Sequence, residues 1–385
     1  MALSKIDLAN MLTGLVPNDN TIRRPNAKPL IFNGSMDLSQ RYGTTATTIT
    51  EGYSLDRWEF VEDTDGSATV AQTATVPTGK GFAKSLDVQV TGTDSSIAAS
   101  QDVRIVQKFE GQDLQVLKYG TSDAEKVTLS FHVKSSTTGT YSATLRHTNT
   151  SGTAYVNSLT FSISSANTWE QKVLVFNGNT AQDIRNTNTE GLRLEIYLAV
   201  GSNFTSGGGA NANSWTTGNT NRASASNVNL MTSTDNDFFL TGVQMEVGEY
   251  TSATLPPFQH ESFEDNLARC QRYYIAYVSG NDELVGSGIA YASNQANVPI
   301  HFPTTMRTDP SLDADTGTDY YKVLGTNGSG NGYVETFNAF IADRAHENAS
   351  GVFINTSDGF SGTSGNGFYM CTNNASASIA FDAEL

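Results

Sequence analysis

Val127-Thr-Leu-Ser-Phe-His-Val-Lys134 sets four apolar side chains against four polar ones in strict alternation. A period of two is the signature of a strand with one face in a core and the other toward water. The same alternation recurs at Leu159, Phe161 and Ile163, and again from Leu192 through Leu194, Ile196 and Leu198 to Val200. It returns at Leu86, Val88 and Val90, and at Val243, Met245 and Val247. Polar turn clusters separate these runs, for example Ser135 to Thr140 and Asn177 to Thr180. Many short strands joined by polar turns predict a two-sheet antiparallel sandwich of jelly-roll type over residues 30–258.

Around this block the chain divides into three further parts. Residues 1–29 are read as a short amphipathic helix with a linker. Ser4 is the N-cap, Leu8, Met11, Leu12 and Leu15 form one stripe, and Gly14 and Pro17 end it. So short a stripe cannot hold a helix alone, so it is expected to dock, either on its own domain or on a neighbouring component. Residues 259–278 predict a connecting helix and strand: the helix starts near Ser262, with Phe263, Leu267, Cys270 and Tyr274 on one face, and runs into Arg272-Tyr-Tyr-Ile275, which can switch to a strand. Residues 279–385 read as a smaller C-terminal β domain with Gly-rich turns. The expected class is therefore mainly β with two short helices.

Composition narrows the function. Only 16% of the 385 residues are charged, against about a quarter in an average soluble domain. Ser, Thr, Asn and Gly fill the difference, as in β-rich extracellular proteins. A net charge of −16 without Lys/Arg clusters argues against nucleic acid and anionic membranes as partners. No run approaches the roughly 18 apolar residues of a membrane span. Asp7 and Asn10 interrupt any signal-peptide core, which predicts synthesis in a cytoplasm without general secretory export. Two cysteines about a hundred residues apart, Cys270 and Cys371, form no disulfide framework and are expected as buried thiols.

Chemistry is sparsely signalled, and no catalytic residue or cofactor is predicted. Glycan cleavage needs two carboxylates about 5–10 Å apart, and no spacing marks a pair. The five histidines are scattered, and His132 is assigned to the solvated face of its strand. No Gly-x-Ser-x-Gly elbow is present. Asp313 to Asp319 has the spacing of a calcium loop, but Leu324 stands where the bidentate Glu belongs. This turn and Asp63-Thr-Asp-Gly66 are read as solvated turns, and no metal is expected. Trp58 and Trp169 border alternating strands and should pack in the sandwich. Gly201 to Asp237 is too long for an ordinary turn. Its Trp215 reads either as an exposed stacking platform or as an indole folded back over the sandwich edge. Tyr320, Tyr321, Tyr333 and Tyr369, set among Gly and Asn turns, complete the candidate receptor or glycan contacts.

Several stretches resemble tail-fibre and related virion proteins of tailed bacteriophages, particularly those of marine and cyanobacterial hosts. They are Met1 to Gly14, Tyr53-Ser-Leu-Asp-Arg-Trp58, Val127 to Lys134 and the strand beginning at Trp169. More specific are Phe239-Leu-Thr-Gly-Val-Gln-Met-Glu-Val-Gly248, Leu255-Pro-Pro-Phe258 and Glu264-Asp-Asn-Leu-Ala-Arg-Cys-Gln-Arg-Tyr-Tyr274. Pro303-Thr-Thr-Met-Arg-Thr-Asp-Pro310 follows them. The resemblance implies a carbohydrate-binding-module-like jelly roll and a homotrimer located in the virion, made in the host cytoplasm and released by lysis. It further implies an N-terminal segment docked on other tail or virion proteins, and a host surface glycan or protein as the target. The chain departs from long fibres in having no coiled-coil shaft. A structural appendage of the head or neck and a glycan-degrading tailspike are the alternatives.

Overall fold

The computed structural model describes residues 29–326, 332–355 and 362–385. The N-terminal stripe of Leu8, Met11, Leu12 and Leu15 lies outside them. Three antiparallel sheets make up the described fold. The first has six strands in the order Thr47–Thr48, Ser67–Thr73, Ser85–Gly92, Asp237–Val247, Val127–Ser135 and Glu170–Phe176. The second has seven: Thr216–Thr217, Ala154–Ile163, Gly139–Thr148, Glu190–Val200, Asp102–Glu110, Glu59–Glu62 and Glu51–Tyr53. These two face each other as the sandwich.

Register follows from the alternation. Val127, Leu129 and Val133 lie opposite Val247, Met245 and Leu240 in the first sheet. Leu194 and Ile196 lie opposite Leu145 and Ala143 in the second. Phe131 meets Phe161 edge-on at 5.0 Å, and Phe161 stacks on Tyr141 at 5.6 Å, which knits the sheets across the core. Trp58 is fully buried and donates its indole N–H to the Asn33 carbonyl at 3.1 Å. Trp169 is only half-buried, 6.2 Å from Phe239 on the outside of the first sheet. At Gly242 the strand Asp237–Val247 bulges with φ +61°, and the Phe82 ring lies where a Cβ would stand. That accounts for the glycine in Leu240-Thr-Gly-Val243.

The helix Phe263–Gln271 begins at Ser262, whose hydroxyl accepts from the Asp265 amide at 3.1 Å. Its buried face is Asn266 and Cys270, whereas Phe263 is exposed and Leu267 half-buried. The expected Phe263/Leu267 face is corrected accordingly. Phe263 opens the helix and points away from the short stretch that touches the sandwich. Both cysteines are buried free thiols.

The third sheet runs Gly332–Phe337, Tyr321–Thr326, Gly367–Asp382, Tyr274–Ala292, Gln295–His301, Ala349–Asn355 and Ile341–His346. Ser311–Ala314 pairs beside them on Gly367–Asp382. This sheet carries a second core containing Val298, Tyr321, Val352, Met370 and Phe381. The first core ends at Tyr273 and the second begins at Ile275.

The joint between the cores is ionic and aromatic. Arg272 makes a bidentate pair with buried Glu110 at 2.7 and 2.8 Å, and the Tyr273 hydroxyl donates to the same carboxylate at 2.7 Å. The guanidinium of fully buried Arg57 lies 3.5 Å over the Tyr273 ring and pairs with Glu384. Arg41 lies 3.5 Å over Tyr274 and pairs with Asp382 at 3.0 Å. Arg307 donates to the carbonyls of Ala383 and Glu384, each at 2.7 Å. The Arg-Tyr-Tyr and Met-Arg stretches quoted above are thus the parts that clamp the third sheet to the sandwich.

Candidate functional site

In the sandwich, outward-facing residues of the central strands are covered by the chain itself. On the second sheet the segment 201–236 lies across the strands. The Asn211 amide donates to the Ser158 carbonyl at 2.8 Å, and the Val228 amide to the Thr140 carbonyl at 2.8 Å. Thr144 Oγ1 donates to the Arg222 carbonyl at 2.5 Å. Beneath this strap sits a buried charge cluster. Glu195, wholly buried, accepts from Arg222 Nη2 at 2.8 Å and from the Tyr197 hydroxyl at 2.8 Å. Arg193 and Arg104 stand at 3.7 and 3.9 Å. Burial alone would raise the Glu195 pKa, but the surrounding arginines outweigh it and bring it down to about 2.

Trp215 closes one end of the sandwich. Its indole is half-buried, edge-on to His147 at 4.7 Å and to Tyr119 at 5.5 Å, and its N–H donates to the Asn177 carbonyl at 2.7 Å. Of the two readings of this residue, the geometry matches the folded-back one, and the exposed platform is corrected. His147 is fixed by its neighbour. Asn179 Oδ1 accepts from the amides of Ala181 and Gln182, so its Nδ2 faces His147 Nε2 at 2.8 Å. A proton on Nε2 would set two donors face to face. Burial lowers the His147 pKa, and with nearby Asp183 pulling the other way it stands at about 4.

A pH dependence follows with a definite sign. The unfolded chain binds this proton near pH 6.5, whereas the folded chain resists it down to about 4. Between those values the unfolded state holds more protons, so stability falls as pH falls. Urea denaturation at a series of pH values should show a loss of up to roughly 3 kcal/mol across this window. His147→Phe should flatten it.

The first sheet is covered in a similar way over its central strands. Thr128 Oγ1 donates to the Gly248 carbonyl at 2.8 Å and accepts from the Tyr250 amide at 3.0 Å. His132 is buried 5.4 Å from Phe82, which in turn meets Phe258 at 5.0 Å. The expected solvated His132 is therefore corrected: the segment after Val247 folds back over its side of the sheet. Burial lowers its pKa as well. A cleft of about 1000 Å³ opens between the helix and the sandwich near Phe32 and Phe109. Its arginines are already committed, Arg269 to Glu261 at 2.5 Å and Arg272 to Glu110.

In the third sheet the candidate tyrosines separate. Tyr321 is fully buried, and its hydroxyl donates to the carbonyls of Asp315 and Ser378 at 2.5 and 3.0 Å. It is a core residue, and its expected role as a surface contact is corrected. Tyr369 is 60% exposed. Tyr333 pairs with Gly325 through its backbone, and its side chain lies outside the described residues. Half-buried Tyr320 belongs to a polar rim. Its carbonyl accepts from the Asn373 amide at 2.7 Å, and Asn373 Nδ2 donates to the Asp319 carbonyl at 2.9 Å. Asn373 lies opposite exposed Asn281, and neighbouring Asp282 pairs with Lys322. The Tyr320 ring packs against the second core and lies over Gly317; its uncovered part can pack on a sugar ring while nearby amides and carboxylates meet the hydroxyls. Of this rim the sequence marks Tyr320 alone, because Asn281 and Asn373 come from two strands far apart in the chain and Asp319 from a turn. Among the described residues no group of three His, Cys, Asp or Glu side chains could hold a metal ion.

No protein-family model matches the chain, and no curated protein matches it in sequence. Among solved structures, it is similar to the enzymatically active domain of tailspike protein 4 of bacteriophage CBA120. That match has 13% identity and a TM-score of 0.32, over 57% of this chain and 21% of that one. It is similar to a family 22 carbohydrate-binding module of Clostridium thermocellum at 10% identity and a TM-score of 0.29, over 51% of this chain and 89% of that one. A putative sugar binding protein from Bacteroides thetaiotaomicron matches at 11% identity and a TM-score of 0.32, over 57% of this chain and 100% of that one. The likeness is weak, at low identity, and lies in the β-sandwich fold.

Proposed function

We propose that the chain is a structural component of a tailed-phage virion, of the tail-fibre kind, that attaches to a glycan-bearing host surface as a homo-oligomer. The observation that carries this reading is the contrast between the two cores. The sandwich covers the outward side chains of its central strands with the segments 201–236 and 249–260. The third sheet leaves one face exposed, and the partly exposed rim at Tyr320, Asn281 and Asn373 has the chemistry of a weak sugar contact. Several weak contacts on one oligomer combine by avidity. The sequence resemblance to phage fibre proteins supplies the virion setting, and a trimer is the symmetry it implies. In this reading the N-terminal stripe holds the virion and the chain performs no catalysis.

The reading is tested by binding of the labelled full-length protein to intact marine and cyanobacterial cells, with extracted surface polysaccharide as competitor. Saturable binding that the polysaccharide displaces, and that falls at least about tenfold in a Tyr320→Ala/Asn373→Ala variant, is expected; two lost contacts of about 1 kcal/mol each suffice. Absence of binding by the folded protein would favour a structural appendage of the head or neck. Release of reducing ends from the polysaccharide would favour a tailspike-type hydrolase.

A further inference from the structure

Nine large hydrophobic side chains are exposed among the described residues, and six of them belong to the third sheet: Leu284, Ile289, Tyr291, Val334, Ile341 and Tyr369. Register places them on one face. Val334, Leu324, Tyr369 and Ser287 lie opposite one another across four neighbouring strands. Ile289, Asn297, Phe353 and Ile341 do the same across the last of these strands and the three beyond it. Leu284 stands opposite Cys371, two residues from Tyr369 and on the same side. Tyr291 follows Ile289 at period two and stacks at 6.4 Å on Phe353. The intervening residues Val285, Ala290, Val298, Val323, Val352 and Met370 fill the core on the opposite face.

We propose that this face is where copies of the chain associate, its occupant being a second copy of the same protein. Three observations favour that occupant. First, the face carries little free charge: Lys322 is paired with Asp282, and Asp343 accepts from Asn297 Nδ2 at 3.0 Å. Two chains of net charge −16 repel one another over most of their surfaces, and a charge-poor apolar face is where that repulsion is smallest. Second, the size fits. At about 200 Å² for each large side chain, the six leave on the order of 600–700 Å² uncovered, near the roughly 800 Å² per partner of a standard interface. Third, four of the six are aliphatic, which suits packing against another apolar sheet and offers a sugar no hydrogen bonds. The inference does not depend on the glycan reading, since the Tyr320 rim lies at the margin of this face.

Sedimentation velocity of the full chain at micromolar concentration should give a dimer or trimer. The variant Val334→Lys/Tyr369→Lys should sediment as a monomer with an unchanged far-ultraviolet circular dichroism spectrum. Each lysine lowers the net negative charge, so general repulsion cannot explain the dissociation. Ser287→Cys provides a check that does not disturb packing. A bismaleimide should link two copies through it while the buried native cysteines stay unreacted. A monomeric wild-type chain would overturn the proposal. So would an oligomer that persists in the lysine variant, or one in which Ser287→Cys gives no cross-linked product.

Discussion

Replacing Arg222 by methionine is expected to destabilise the protein by about 3–5 kcal/mol, the usual cost of leaving one member of a buried ion pair behind. Arg222 is the one cation that the 201–236 segment contributes to Glu195, at 2.8 Å, and the carboxylate has no access to water. The remaining arginines stand at 3.7 and 3.9 Å and cannot replace that contact without moving. The loss should appear in urea denaturation, together with new proteolytic cleavage between residues 201 and 236. Glu195→Gln combined with Arg222→Met should recover much of the stability, because no carboxylate is then stranded and the introduced amide still accepts from the Tyr197 hydroxyl. A loss below about 1 kcal/mol, the range of an exposed pair, would mean that the strap is not held by this pair. The same cluster sets an acid limit. Because the folded pKa of Glu195 is depressed to about 2, its contribution is full above the ordinary carboxylate range near 4.5 and is lost as pH falls toward 2. That window lies below the one assigned to His147.

Glu110→Ala should have an effect of similar kind at the joint. It removes the acceptor of both Arg272 hydrogen bonds and of the Tyr273 hydroxyl. Arg272 is partly exposed and can turn to water, whereas Tyr273 cannot. A loss of roughly 2–4 kcal/mol follows from the orphaned hydroxyl and the broken charge-assisted bonds. The more telling readout is cooperativity. Calorimetry of the wild-type protein should show the two cores melting together, and the variant should show two resolved transitions, with the third sheet melting first. A single unshifted transition would mean that the cores are not coupled through Glu110.

The architecture of the sandwich was legible because apolar and polar residues alternate so strictly in Val127 to Lys134 and Leu192 to Val200. The same period gave no account of what covers each sheet. His132 occupies a polar position of its strand and still ends up buried, since Phe82 and the Phe258 segment lie over it. Glu195 is itself a signal: it is the lone charge in the run Leu194 to Val200, and such a charge demands a partner. That partner, Arg222, comes from a long polar loop whose path the sequence does not reveal. Tyr320 and Tyr321 are adjacent in sequence, so alternation requires one to face inward without specifying which. Helical spacing points Phe263 inward, but a nine-residue helix with Asn266 and Cys270 as its contact points leaves its first residue exposed. Leu284, Ile289, Val334 and Ile341 are not legible as exposed, because the C-terminal strands carry apolar residues on both faces and periodicity there does not identify the outer one.

The measurement that tests the account most directly is amide hydrogen exchange of the full-length protein, with and without host surface polysaccharide. Slowed exchange is expected around residues 280–283, 319–320 and 372–376, with exchange in residues 201–236 unchanged. Slowed exchange confined to the 201–236 strap, with none in the third sheet, would place the ligand on the sandwich and contradict it.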